Sequence, residues 1–276
     1  MFKEIRGINY HYYIHSQKPA LPYLVMLHGF MGDSGIFDHL IAVLQAFSNP
    51  VTIDLIGHGQ TDAPGNSQRY ELSNQIDDIN DLLSQLNLQG TFLLGYSMGG
   101  RLALRIALNN NLNLAGLILE STTYGIEDPA VKKDRLRSDQ DNADRILNDF
   151  HTFVDKWNRN PLFAASQPLK EETQQNLDYI QRRQRPHGLA NSLIGFGSAS
   201  MASVRHQLGH ISLPTLLITG QQDVKYSTIG NEMSRHIPDC KHYILAGCGH
   251  RVHVDDPNKY VNTIRRFIES QQIVRL

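Results

Sequence analysis

Short apolar segments alternate with longer helical patterns along this chain, and this alternation constrains its fold more than any other feature. The predicted strands cover residues 23–27, 51–54, 91–95, 115–120, 215–219 and 241–245, and the predicted helices cover 35–46, 71–86, 99–109, 228–236 and 257–271. Most of the strand segments are apolar throughout, as strands are when helices cover both faces of a sheet. The order is typical of βαβ units, so we expect an α/β fold with a mostly parallel central sheet flanked by helices.

Two regions depart from this rhythm. Residues 5–13 alternate between polar and apolar side chains and predict the start of an antiparallel edge hairpin. Residues 124–209 are polar, with amphipathic stretches at 141–157, 170–184 and 186–196. We interpret them as a helical lid over the carboxyl ends of the strands, where open α/β sheets bind their ligands. The sequence therefore predicts a core of residues 1–123 and 210–276 and a lid of residues 124–209.

Composition limits the partners of this protein. Its formal net charge of -1 provides no general attraction to nucleic acid or to an anionic membrane. Lys3, Glu4 and Arg6 place charges where a signal peptide needs an apolar segment, and no stretch approaches the roughly 18 apolar residues of a membrane span. The two cysteines, Cys240 and Cys248, lack the spacing of a zinc site, and we expect free thiols. We predict a cytoplasmic protein, monomer or small homo-oligomer, without nucleic acid, membrane or metal partners.

The segment Gly95-Tyr96-Ser97-Met98-Gly99 joins a predicted strand to a predicted helix. A G-x-S-x-G match alone is weak evidence, because a glycine–serine turn also occurs in ordinary βα units. In the strand–turn–helix context it is the arrangement of a nucleophile elbow, which exposes a strained serine at the start of a helix. We therefore predict Ser97 as the reactive residue.

An acid and a histidine follow Ser97 in the order that such an elbow requires. Asp223 comes after the strand at 215–219, and His250 ends a glycine-rich loop after the strand at 241–245. We expect Asp223 to hold the tautomer of His250 and His250 to accept the proton of Ser97.

Other polar residues compete for these roles. His253 is an alternative base, and Glu120, at the end of the strand that follows Ser97, is an alternative acid. Their chain order or strand-end placement fits less well. His28 and His58 lie in loops before Ser97, and we interpret them as structural residues that order those loops.

An oxyanion hole of this type takes one N–H from the residue after the serine and one from the loop after an earlier strand. The first is the N–H of Met98. The second is predicted to be the N–H of Phe30, in the loop that follows the strand at 23–27.

Together these segments resemble the α/β-hydrolase superfamily over nearly the whole chain. The sequences GYSMGGR at 95–101, WNRNPLF at 157–163, RPHGLANSL at 185–193 and DVKY at 223–226 narrow the resemblance. They are similar to the 2-succinyl-6-hydroxy-2,4-cyclohexadiene-1-carboxylate synthases of menaquinone biosynthesis. The resemblance implies an α/β-hydrolase fold with a helical lid.

The resemblance also implies a lyase rather than a hydrolase. In that family the triad serine acts as a base, and the enolpyruvyl group of 2-succinyl-5-enolpyruvyl-6-hydroxy-3-cyclohexene-1-carboxylate leaves as pyruvate, without a metal or organic cofactor. One alternative is a serine hydrolase that cleaves esters or carbon–carbon bonds with Ser97 as nucleophile. A further alternative is a ligand-binding member of the fold without catalytic activity.

A substrate with several carboxylates calls for arginines, which bind carboxylates through paired hydrogen bonds. Arg101 lies one helical turn after Ser97 and is the first candidate for substrate binding. By position in the family pattern we add Arg135 and Arg183 from the lid, although charges on amphipathic helices are as often solvated. Tyr96 and Trp157 are candidates for lining the pocket, with packing between lid and core as the alternative.

Overall fold

The structure, a computed structural model, describes residues 1–88, 90–109 and 111–273, so the end of the predicted core at residue 276 lies outside it. Its centre is an eight-stranded sheet in the order β1-β2-β4-β3-β5-β6-β7-β8. The strands are β1 (Phe2–Ile5), β2 (Ile8–Ile14), β3 (Tyr23–Leu27), β4 (Asn49–Ile53), β5 (Thr91–Tyr96), β6 (Leu114–Glu120), β7 (Thr215–Gly220) and β8 (Cys240–Leu245). β1 and β2 pair antiparallel at one edge, and β3 to β8 run parallel, so the predicted α/β sheet is confirmed.

Helices cover both faces of the sheet because alternate strand residues point to opposite sides. Val25 and Leu27 belong to one apolar cluster, with side chains of the helices at Leu72–Leu86 and Met98–Asn109. Leu24 and Met26 belong to the other, with side chains of the helices at Asp38–Leu44 and Pro257–Ile273. The core helices are α1 (Asp38–Leu44), α2 (Leu72–Leu86), α3 (Met98–Asn109), α8 (Val224–His236), α9 (Val252–Asp255) and α10 (Pro257–Ile273). Burial on both sides explains why most of the strand segments are apolar throughout.

Four helices lie between β6 and β7: α4 (Pro129–Asn148), α5 (Phe150–Asn158), α6 (Glu171–Arg182) and α7 (Pro186–Phe196). A third apolar cluster joins α4, α5 and α7 to the loop after β3, because Ile146, Val154 and Leu189 pack with Met31. The helical insertion is thus present as expected, and it is tied to the loop that carries Phe30. Its exact boundaries remain a prediction.

The first lid helix differs from the sequence-based expectation. The amphipathic stretch was expected to begin at residue 141, but α4 begins at Pro129, where the Asp128 carboxylate accepts the N–H groups of Ala130 and Val131. A carboxylate at this position stabilises a helix start, and proline is favoured at the first helical position. The first half of α4 is largely exposed and polar, so apolar periodicity could not reveal it.

None of the helices within the described residues combines the length and the apolar character needed to cross a membrane.

Candidate active site

Ser97 occupies the turn between β5 and α3 in a left-handed backbone conformation, with φ of 50°. Its N–H donates to the carbonyl of Glu120 (2.8 Å), and its own carbonyl accepts from the N–H of Arg101 (3.1 Å) and the hydroxyl of Thr122 (2.8 Å). This conformation is strained for a residue with a side chain, so the surrounding hydrogen bonds must hold it. They place Ser97 at the carboxyl edge of the sheet.

Glycine is required beside Ser97 because α3 approaches β3 closely. A Cβ atom on Gly99 would lie 2.4 Å from the carbonyl oxygen of Leu27, and the N–H of Gly99 donates to the carbonyl of His28 (3.1 Å). A larger residue would push the start of the helix away from the strand. The second glycine of the motif therefore reflects packing, as the elbow interpretation predicts.

Ser97, His250 and Asp223 form a continuous hydrogen-bonded chain. The Nδ1–H of His250 donates to Oδ2 of Asp223 (2.6 Å), and its Nε2 lies 3.0 Å from the hydroxyl oxygen of Ser97. Asp223 also caps α8 by accepting the N–H of Tyr226 (3.3 Å), which explains why α8 begins at Val224 and not at the predicted residue 228. This geometry lets His250 accept the Ser97 proton while Asp223 fixes its tautomer.

A cavity of about 220 Å³ lies over Ser97, between the carboxyl edge of the sheet and the lid. It is lined by most of the residues proposed from the sequence: Ser97, His250, Phe30, Met98, Tyr96, Arg101, Arg135 and Trp157. Phe30 and Met98 come from the loop after β3 and from the first residue of α3, so their N–H groups are the candidate oxyanion donors. The structure therefore brings serine, base, candidate donors and two arginines to one cavity.

Arg101 is a buried cation at this cavity. Its guanidinium lies 5.0 Å from the centre of the Phe196 ring and donates to the Phe196 carbonyl (3.1 Å). It forms no salt bridge with any residue that the structure describes. Burial lowers the pKa of Arg101 to about 10, so the side chain is still a cation at neutral pH. A buried guanidinium without a carboxylate partner is well suited to bind an anionic ligand.

Arg135 reaches the same cavity with a partner of its own. Its Nε–H donates to Oδ1 of Asp139 (2.8 Å), one helical turn further along α4. The carboxylate of Asp139 is buried and lines the cavity, and burial raises its pKa although the charge of Arg135 lowers it. Arg135 therefore contributes less net positive charge than the sequence suggested.

Arg183 does not reach the cavity over Ser97, contrary to its selection as a substrate-binding residue. Its guanidinium pairs with both carboxylate oxygens of Asp33 (2.8 and 2.7 Å), at the start of a short 3₁₀ helix in the core. The pair lies beside a different cavity, which is also lined by Asp38 and Asp54. Arg183 thus joins the end of α6 to the core, and sequence position alone could not reveal its carboxylate partner.

Aromatic side chains form one wall of the cavity. The ring of Trp157 lies 5.4 Å from Phe30 and 5.5 Å from Phe163, while Tyr96 lies 5.5 Å from His250. Trp157 is only partly buried and also packs on Phe153 within the lid. Tyr96 and Trp157 therefore both line the cavity, and each also packs against other side chains of the core or the lid.

The side chains of the alternative base His253 and the alternative acid Glu120 pair with each other and not with the Ser97 hydroxyl. Nδ1–H of His253 donates to Oε1 of Glu120 (2.8 Å), and the same oxygen accepts the N–H of His253 (3.1 Å). Both side chains are buried, and Glu120 and His253 do not line the cavity over Ser97.

The two earlier histidines have structural contacts. Nδ1–H of His28 donates to the Gly29 carbonyl (2.8 Å) and its Nε2 accepts the N–H of Leu55 (2.9 Å), which requires a neutral ring. Burial lowers the pKa of His28 accordingly. His58 is fully buried, and burial lowers its pKa to about 3.

Several residues that line the cavity were not proposed from the sequence, among them Asp139 and Tyr226. The spacing between Arg135 and Asp139 is that of an ion pair on one helix face and could have revealed Asp139. Tyr226 lies one turn after Asp223, and its ring packs 4.6 Å from His250. Only that packing identifies it as part of the site.

The two cysteines are not part of the candidate active site. Cys240 and Cys248 are free, and neither lines the cavity over Ser97. Burial raises the pKa of the Cys248 thiol to about 11, which opposes formation of a reactive thiolate. Within the described residues, no group of three histidine, cysteine, aspartate or glutamate side chains could hold a metal ion.

Comparison with known proteins places these features in a family context. Residues 22–257 match the family model described as the alpha/beta hydrolase fold. The chain is 37% identical to a Bacillus subtilis protein provisionally named 2-succinyl-6-hydroxy-2,4-cyclohexadiene-1-carboxylate synthase, over 90% of each chain. It is 27% identical to the Escherichia coli K12 enzyme of that name, over 91% of this chain and 95% of the enzyme.

Among solved structures, MenH from S. aureus superposes with a TM-score of 0.90 at 30% identity, over 95% of this chain and 98% of that one. The similarity therefore extends through the lid as well as the core.

Proposed function

The chain belongs to the α/β-hydrolase fold family and, within it, to the 2-succinyl-6-hydroxy-2,4-cyclohexadiene-1-carboxylate synthases, and we propose that it catalyses the reaction for which they are named. The reaction eliminates pyruvate from 2-succinyl-5-enolpyruvyl-6-hydroxy-3-cyclohexene-1-carboxylate, a step of menaquinone biosynthesis. One observation carries the proposal: the hydrogen-bonded chain from Ser97 through His250 to Asp223 opens into a cavity that holds the buried guanidinium of Arg101, which has no acidic partner among the described residues.

In the proposed mechanism Ser97 acts as a base. Its hydroxyl proton moves to Nε2 of His250 while its oxygen takes a proton from the ring carbon next to the succinyl carbonyl. The electron pair of that C–H bond moves into the carbonyl, and the N–H groups of Phe30 and Met98 stabilise the resulting oxyanion.

The elimination then completes the proton balance. The electron pair returns to form a double bond between C2 and C3, the existing double bond between C3 and C4 shifts to C4 and C5, and the bond between C5 and the enolpyruvyl oxygen breaks. The leaving group takes up the proton that His250 holds and becomes pyruvate. Asp223 stabilises the imidazolium during this interval. The mechanism assigns no role to a metal or to an organic cofactor.

The substrate carries three carboxylates, and the arginines of the cavity provide the complementary charge. Arg101 has no acidic partner among the described residues and binds one carboxylate directly. Arg135 shares its charge with Asp139 and provides weaker attraction to a second. The polycarboxylate class of the substrate is thus supported by charged groups outside the triad.

The test compares two substrate classes on the purified protein. Pyruvate release from the enolpyruvyl substrate should be rapid, and Ser97→Ala should reduce its rate on the order of 10⁴-fold or more. Efficient hydrolysis of simple esters without pyruvate release would favour the serine hydrolase instead. A Ser97→Ala variant that retains every function of the wild type would favour a ligand-binding protein.

Arg101→Ala tests the charge requirement. Loss of the carboxylate partner should lower kcat/KM for the enolpyruvyl substrate on the order of 100-fold, since truncating one member of a buried charge pair typically costs 2–5 kcal/mol. The matched control is Arg137→Ala, because Arg137 is largely exposed on α4 and does not line the cavity. Equal kcat/KM values for the Arg101 variant and the wild type would remove Arg101 from the site.

The cytoplasmic location and the monomeric or small oligomeric state remain part of the proposal. Fractionation of cells and light scattering of the purified protein test them.

A further inference from the structure

Tyr226 is a cavity residue to which the mechanism assigns no role. It lies in the first turn of α8, where its N–H donates to Asp223, the acid that also holds His250. Its ring centre lies 4.6 Å from that of His250, and its side chain lines the cavity over Ser97. Asp223 therefore holds both His250 and the backbone of Tyr226, and both residues line the cavity over Ser97.

The ring of Tyr226 has packing partners, but its hydroxyl has no hydrogen-bond partner among the described residues. His250 packs against the ring, and the ammonium of Lys225 lies 5.4 Å from the ring centre. Throughout residues 1–88, 90–109 and 111–273, the hydroxyl of Tyr226 forms no hydrogen bond with another protein group. Tyr226 is half-buried, so its hydroxyl can donate to water or to a ligand in the cavity that the residue lines.

The charges around the hydroxyl indicate which ligand group it meets. Burial raises the pKa of Tyr226, while the positive charges of Arg101 and Arg135 lower it, and the net shift is upward. The phenol is therefore neutral at physiological pH and can donate a hydrogen bond. Because Arg101 and Tyr226 line the same cavity, an anionic oxygen there would have both a charged and a neutral donor.

We propose that the hydroxyl of Tyr226 donates a hydrogen bond to the substrate carboxylate that Arg101 binds. This inference rests on the proposed function and adds a second donor to its carboxylate site. A carboxylate accepts several hydrogen bonds at once, so the two donors do not compete. A site built from both donors also discriminates against analogues that lack the carboxylate, since their binding would leave buried polar groups unpaired.

Tyr226→Phe tests the proposal because it removes the hydroxyl and keeps the ring that packs on His250. A hydrogen bond to a charged group contributes equally to ground state and transition state here, so KM should rise roughly 10-fold or more while kcat changes less than about 3-fold. The matched control is Tyr243→Phe on β8, an exposed tyrosine outside the cavity, whose KM and kcat should equal those of the wild type. Thermal unfolding of both variants checks that they are folded.

Direct binding of the reaction product provides an independent measure. Isothermal titration with 2-succinyl-6-hydroxy-2,4-cyclohexadiene-1-carboxylate should show weaker binding to Tyr226→Phe than to wild type, and no change for Tyr243→Phe. An unchanged KM, or a fall in kcat with KM preserved, would overturn the inference while pyruvate release by the wild type still supports the proposed function. A wild-type protein that neither releases pyruvate nor binds this product would overturn both.

Discussion

Two buried histidine–carboxylate pairs lie close together in this protein, and only one of them faces a serine. Nδ1–H of His250 donates to Asp223 at 2.6 Å, and Nδ1–H of His253 donates to Glu120 at 2.8 Å. The ring of Tyr96 lies near both imidazoles, 5.5 Å from His250 and 4.6 Å from His253.

The surroundings of the two pairs differ more than their geometry. Nε2 of His250 lies 3.0 Å from the Ser97 hydroxyl, at the cavity. Glu120 instead accepts both the ring and the backbone N–H of His253 and so holds the start of α9, which begins two residues after His250. An acid partner thus orients a histidine for catalysis or for packing, and contact with Ser97 and the cavity decides which.

The largest effect that would test this comparison is expected for His250→Ala. Without a base, Ser97 cannot pass on its proton, so the rate of pyruvate release should fall on the order of 10⁴-fold or more, with the protein still folded. Steady-state kinetics and circular dichroism measure the two properties. A loss below 10-fold would remove His250 from the mechanism.

His253→Ala should instead lower the stability of the protein and leave the rate of pyruvate release nearly unchanged. Removing one partner of a buried pair leaves the Glu120 carboxylate uncompensated, so the free energy of unfolding should fall by roughly 3 kcal/mol or more. The rate at temperatures where the variant is folded should change less than about 10-fold. Urea denaturation and kinetics on one preparation provide both values. A 10³-fold loss of rate in a stable variant would contradict the division between the two pairs.

His58 extends the comparison to a buried histidine that forms no hydrogen bond with a carboxylate in the described chain. Its pKa of about 3, against an ordinary 6.5, means that the unfolded chain binds a proton below pH 6.5 while the folded protein does not. Stability should therefore be lost as the pH falls from 6.5 towards 3, at about 1.4 kcal/mol per pH unit.

The experiment compares urea denaturation at pH 6.5 and pH 5. His58→Gln should lose about 2 kcal/mol less than the wild type over this interval. The exposed His206→Gln should follow the wild type. If the free energy of unfolding had the same pH dependence in all three proteins, the loss of stability at low pH would not come from the lowered pKa of His58.

Arg183→Ala should have the smallest effect. The Arg183 side chain is 42% exposed, and the buried Asp33 carboxylate keeps the N–H of Gly35 and the side-chain amide of Gln184 as donors, so the free energy of unfolding should fall by about 1 kcal/mol. Because Arg183 lies away from the cavity over Ser97, KM for the enolpyruvyl substrate should change less than about 2-fold. A 10-fold rise in KM would show that Arg183 reaches the substrate after all.

The parallel sheet and the order of the candidate triad could be predicted from sequence. Strand ends position Ser97, Asp223 and His250, and apolar segments reveal strand ends directly. The same reasoning identified Glu120 and His253 as competitors but could not show that they pair with each other, because their contact depends on how α9 packs on β6.

Lid residues were harder to predict because an exposed helix face can turn towards several partners. Arg135 and Arg183 lie on similar polar helices, yet one lines the cavity beside Asp139 and the other pairs with Asp33 in the core.

The sheet, the elbow and the chain order of serine, acid and histidine follow from local patterns, because hydrophobic periodicity and turn geometry act over a few residues. Contacts between segments far apart in the chain decide which histidine, His250 or His253, meets Ser97. They also decide which arginine lines the cavity and where the ring of Tyr226 packs against His250. Packing and the pairing of buried charges select among those contacts, and they operate only once the chain has folded.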